Sequence, residues 1–140
     1  MLKGLITSFC LLVLVGVCVA QQGKPAAARQ QQLPAKTFLT MRDSTTSMDV
    51  VMMQGKGGSL SLEGRNVKLF NAFFENKPAV KTNIPVAGSI MWQINGREYI
   101  SGSYYLGDST GFVVFKKDGK EYVNLLNPQG NSFFKSQIKQ

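Results

Sequence analysis

Seven residues able to hydrogen-bond or move a proton crowd one short stretch: Ser101, Ser103, Tyr104, Tyr105, Asp108, Ser109 and Thr110. Interleaved with Gly102, Gly107 and Gly111, they compose a Tyr/Ser/Gly/Asp surface like that of an antibody binding loop. Tyrosine supplies wide amphipathic contact at low entropic cost, and the small residues supply adaptable hydrogen bonds. The stretch 102–111 reads as a loop that binds a protein or a glycan. Trp92, Ser101, Ser103, Tyr104, Tyr105 and Asp108 are its candidate contact residues. A competing reading has Tyr104 and Tyr105 simply continuing a strand, one side chain inward and one outward.

Catalytic chemistry has fewer ways in. Asp108 with a second carboxylate would make a glycosidase pair, and a serine with a lysine would make a nucleophile and its base. No spacing singles out either. The chain has no histidine, and both cysteines, Cys10 and Cys18, lie near the N-terminus. Ordinary zinc and copper sites, Ser-His-Asp triads and Cys-His dyads are thereby removed. Gly55-Lys56-Gly57-Gly58 lacks the spacing of a phosphate-cradling loop and reads as a hairpin loop. The expectation is a non-enzymatic protein with no metal and no cofactor, a small hydrolase being the second alternative.

The elements that must position these residues are two β-hairpins in series, residues 89–101 and 112–124. Asn95-Gly96 and Asp118-Gly119 stand between alternating apolar runs, a combination that favours type I′ turns. Two-residue turns place Trp92 opposite Tyr99, Met91 opposite Ile100, Phe115 opposite Tyr122, Val114 opposite Val123 and Lys116 opposite Glu121. Each opposed pair contributes about 0.2–1 kcal/mol. Residues 59–69 carry a weaker copy of the pattern around Glu63-Gly64, with Leu60 opposite Val67.

Upstream, Thr37–Arg42 reads as a first strand and Met48–Gln54 as a second, more central one. Residues 66–76 fit two patterns. Val67 and Leu69 alternate as in a strand, whereas Leu69, Phe70, Phe73 and Phe74 share a helical face. The reading adopted is strand through Phe70, then a bend or short helix. Pro78 and Pro85 exclude central strands from the loop 77–87, and Ser132–Phe134 reads as a short last strand. The fold class expected is all-β: a small antiparallel meander of about eight strands closing into a sandwich or barrel, with at most one short helix. The expected core comprises Val50, Met52, Leu60, Leu62, Ile90, Trp92, Ile94, Tyr99, Val113, Phe115 and Tyr122, with Val114 and Val123 on the opposite face.

Lys3, the apolar run Leu5–Val19 and the ending Cys18-Val19-Ala20 describe a secretory signal peptide cleaved after Ala20. The expected organisation is a leader at 1–20, a disordered basic Gln/Ala/Pro linker at 21–36, a β-domain at 37–134 and a basic tail at 135–140. The compartment expected is secreted or periplasmic, with no transmembrane span in the mature chain. Without the leader's cysteines the domain would hold no disulfide, so burial alone must stabilise it.

The formal net charge is +8. It belongs to the ends of the chain. Lys24, Arg29, Lys36 and Arg42 stand before Asp43 with no acid among them, and Lys135 and Lys139 close the chain. Between Asp43 and Phe134 nine cations meet all eight acids. The four leading cations form a candidate tether for anionic surfaces, weak and salt-sensitive. A domain-wide face for specific nucleic-acid binding is not expected.

One resemblance is local. Ser101-Gly102-Ser103-Tyr104-Tyr105, followed by Phe115-Lys116-Lys117-Asp118-Gly119, resembles the signature of periplasmic lysozyme inhibitors of small β-barrel type. It covers about twenty residues, and the cysteines usual in that family are missing. It implies that Ser101 or Ser103, and Lys117, would face an acidic cleft. No family is assigned from it. The reading carried forward is a secreted or periplasmic binding or structural β-domain, a component of an envelope or extracellular assembly. The alternative is an inhibitor or carbohydrate-binding module using residues 102–111.

Overall fold

The computed structural model describes residues 30–139. The leader, the cleavage site and the linker as far as residue 29, with Lys24 and Arg29, lie outside the described residues. The elements run in the order α1 (Ala35–Ser44), β1 (Ser47–Met52), β2 (Gly58–Glu63), α2 (Arg65–Asn71), β3 (Phe74–Pro78), β4 (Gly88–Ile94), β5 (Arg97–Leu106), β6 (Gly111–Lys117), β7 (Lys120–Leu126) and α3 (Pro128–Ile138). The seven strands form one antiparallel sheet ordered β2-β1-β4-β5-β6-β7-β3. The protein is mostly β, as expected. The sheet stays open and does not close into a barrel, and three helices replace the one allowed for.

All three helices pack on one face. Face parity shows why. Directly opposed residues share a face, so Met48, Val50, Ile90, Trp92, Gly102, Tyr104, Val113, Phe115 and Leu126 line a single surface. Phe38 and Met41 of α1, Val67 of α2 and Phe134 of α3 join them in one buried cluster. Each such side chain contributes about 1.5–3 kcal/mol on burial. Leu33, just before α1, is buried in the same cluster, and its N–H donates to Asn124 Oδ1 at 2.8 Å. Val123 N–H donates to the Gln31 carbonyl, so the chain is already packed there.

Several sequence readings need correction. The expected first strand at Thr37–Arg42 is helix α1. Its buried residues, Thr37, Phe38 and Met41, follow helical and not alternating spacing. The weaker hairpin copy at 59–69 does not form. Leu60 pairs with Val50, and Gly64 leads into helix α2, so the strand reading through Phe70 is reversed: helix comes first and strand β3 follows. Val67 and Asn71, four residues apart, are the side chains α2 buries. The strand expected at Ser132–Phe134 is the middle of α3. Asn127 caps that helix, its Oδ1 accepting from Gly130 N–H at 2.9 Å, and Pro128 occupies the first turn.

Both strong hairpins are present. Asn95 and Asp118 each have φ 51°, followed by Gly96 at 74° and Gly119 at 72°, the paired positive φ of type I′ turns. The second hairpin has the expected register throughout. The first does not. A bulge between Trp92 and Gln93 leaves Tyr99 unpaired, so Trp92 faces Ile100 and Met91 faces Ser101. Turn chemistry selects the loop, but the burial of Trp92 and Ile100 on one face decides the register beyond it. Of the expected core, Met52, Leu60, Ile94, Tyr99 and Tyr122 are only partly buried.

Candidate functional site

The polar stretch does not form the expected loop. Strand β5 continues to Leu106, and only residues 107–110 turn. Tyr104 and Tyr105 therefore point to opposite faces, as the competing reading held.

Tyr104 lies under α3. It is fully buried, with its ring centroid 4.6 Å from that of Phe134. Opposite it stands Gly88, where an added Cβ would come within 2.6 Å of the Tyr104 hydroxyl, so the glycine is the space the ring needs. The hydroxyl has no partner among the described residues, and burial pushes its pKa up to about 12. Trp92 is likewise structural. Its ring packs between Phe74 and Phe115, and its Nε1–H donates to Asn71 Oδ1 at 2.9 Å. Asn71 Nδ2 in turn donates to the Arg42 carbonyl at 3.0 Å, joining α1, α2 and the sheet in one buried contact. Both aromatics are held too deep to meet a ligand.

Ser101, Ser103 and Tyr105 do converge, on the face without helices. They line a shallow trough of about 340 Å³. Its floor crosses the middle of the sheet: Ser89 of β4 pairs with Ser103, which pairs with Val114 of β6. Side chains this small leave a depression between taller neighbours. On one side Tyr105 stacks on Phe112, centroids 4.6 Å apart and planes 11° from parallel. The loop after β3 backs this wall, Ala79 and Ile84 packing against Phe112, Val114 and Val123. On the other side stand Lys116, Glu121 and Lys81. Lys81 Nζ donates to Glu121 Oε1 at 2.7 Å. That hydrogen bond holds the Lys81 pKa above its ordinary value, so the ammonium keeps its proton.

Asp108 sits elsewhere. It is exposed in the β5–β6 turn, where its carbonyl accepts from Lys135 Nζ at 3.1 Å. It borders a separate cleft of about 630 Å³ with Val80, Ile84 and Leu125. Among the tether cations, Lys36 is exposed on α1, and Arg42 is paired with Asp43 at 2.7 Å. Lys117, which the lysozyme-inhibitor resemblance singles out, lies 3.6 Å from Asp118, and the open sheet departs from the barrel that resemblance implies.

The sequence reading missed Ser89, Lys81 and Glu121 as neighbours of Ser103 and Tyr105. A signal existed for one of them. With Lys116 opposite Glu121, as the hairpin pattern required, parity from Lys116 through Val114 places both on the face opposite Phe115. Ser89 required knowledge of the bulge, and Lys81 that of the loop. Among the described residues no group of three or more His, Cys, Asp or Glu is placed to hold a metal ion. No helix among them is long and apolar enough to cross a membrane. Compared with family models, curated proteins and solved structures, the chain matches none.

Proposed function

We propose that this is a non-catalytic, extracytoplasmic binding domain, a component of an envelope or extracellular assembly, that holds a hydroxyl-rich ligand of glycan type on its open sheet face. The observation that carries the reading is the trough itself. Three serine side chains and Tyr105 share one depression on a rigid sheet, next to two lysines and a glutamate. A sugar needs such a mixture: short donors and acceptors for its hydroxyls, and an aromatic or aliphatic wall for its C–H face. The serines and Tyr105 are mounted on strands, so little ordering cost falls on binding. Lys81, held protonated beside Glu121, suits ligand orientation better than proton abstraction. The leader expected at residues 1–20 supports an extracytoplasmic site of action.

Titration of the exported protein with oligosaccharides from peptidoglycan, capsule and host mucin, followed by NMR shifts or calorimetry, tests this. Binding should weaken at least tenfold in Tyr105→Ala and in Ser103→Leu, which fills the trough. It should be unchanged in Tyr104→Phe, on the opposite face. Failure of all three glycan classes to perturb Ser89, Ser103 or Tyr105 would overturn the proposal.

A further inference from the structure

The two edges of the sheet are built differently. Strand β3 closes one edge with Pro78, the charged residues Glu75 and Lys77, and an irregular register against β7. These features obstruct the pairing of another strand. Strand β2 closes the other edge with no proline, and its one charge, Glu63, stands at its very end. Gly58-Ser59-Leu60-Ser61-Leu62 holds no proline and no charge, and it pairs with β1 in unbroken register over its whole length. Ser59 and Ser61 are exposed, and Leu60 is only partly buried although it faces the helix side. Among the described residues no strand pairs with its outer side, so it presents a row of backbone donors and acceptors there.

We propose that β2 is the pairing edge of a symmetric dimer, in which a second copy of this chain adds its own β2 antiparallel to the first. The charges argue for that occupant. Lys56 lies just before the strand and Glu63 ends it. Antiparallel self-pairing puts each Lys56, in the turn before the strand, at the same end of the joint as the partner's Glu63, twice over, whereas parallel pairing would set like charges together. Parity selects the register. Directly opposed residues must share a face, so pairing centred on Leu60 sets it against the partner's Leu60 and Leu62 against the partner's Gly58. Leu60 then gains the apolar neighbour it lacks at the edge. The result is a continuous fourteen-stranded sheet, twice the seven of one chain, with both helix layers on one side and both troughs on the other. The trough lies across β4–β7 and remains uncovered, so the dimer stands or falls independently of the glycan reading.

The test uses the full chain with Cys10 and Cys18 replaced by serine, so that an introduced cysteine is alone. Under mild oxidation Leu60→Cys should form a covalent dimer much faster than Ser136→Cys, which lies on α3 away from the edge. Sedimentation of the unmodified chain should show a concentration-dependent dimer. Leu60→Lys, which opposes two ammonium groups at the centre, should weaken it by more than about tenfold while leaving the circular dichroism unchanged. Cross-linking no faster at position 60 than at 136, or a monomer at all concentrations, would overturn the proposal.

Discussion

The Tyr104 hydroxyl is buried with no partner among the described residues, which makes its removal informative. Leaving a polar group unpaired costs about 1–3 kcal/mol, so Tyr104→Phe should be neutral or stabilising in urea titrations. The same burial sets a pH dependence. In the unfolded chain the phenol ionises near its ordinary 10.0, and in the folded chain at about 12. Between these values the folded state binds more protons, so stability is intact below pH 10 and falls as pH rises to 12, by up to about 3 kcal/mol. Tyr104→Phe should flatten that slope. Asn71 is the opposite case, a buried side chain with every polar atom in use. Asn71→Ala strands the Trp92 indole N–H and the Arg42 carbonyl and should cost about 3 kcal/mol, read as a lower urea midpoint with unchanged m. From the sequence, Trp92 is recognisable as a core residue, but Asn71 is one asparagine among many. Its role depends on α1, α2 and β4 meeting at one point.

At the scale of elements, α3 is a structural cover and not a tail. It carries Phe134 onto Tyr104, and its cap Asn127 also donates to the Ala72 carbonyl at 2.9 Å. Asn127→Ala should cost about 1 kcal/mol for the cap and somewhat more for the second bond. Deleting residues 128–140 should expose the Tyr104 face and abolish cooperative thermal unfolding, because the removed helix buries a core aromatic. Helices α1 and α3 escape a reading by local pattern for one reason. Their apolar stripes are short, and strand-like alternation fits windows of that length equally well. The hairpins are legible because Asn-Gly and Asp-Gly specify a backbone conformation that few other dipeptides reach. Gly119→Ala should therefore destabilise the chain by about 1 kcal/mol through strain at its φ of 72°.

For the whole molecule, the helices cover one face of the sheet and the trough lies on the other. Intact mass of the exported protein should show a chain starting at Gln21; retention of residues 1–20 would remove the ground for an extracytoplasmic role. Weak retention on heparin at low salt, if it resides in the unopposed leading cations, should be lost in Lys24→Gln with Arg29→Gln and survive Arg42→Gln, since Arg42 already has Asp43. Substitution is the right test because truncation to residue 43 would delete most of α1. The sequence alone determined the antiparallel β class, both turns, the register of the second hairpin and the placing of Val114 and Val123 opposite the main core. Each of these follows from the chemistry of neighbours along the chain, namely turn dipeptides and period-two alternation. The tertiary structure alone decided that the sheet stays open, that Tyr104 turns inward while Tyr105 turns outward, and that Ser89, Ser103 and Lys81 meet. Those outcomes depend on which face the helices cover, and that is settled by apolar area contributed from segments far apart in sequence.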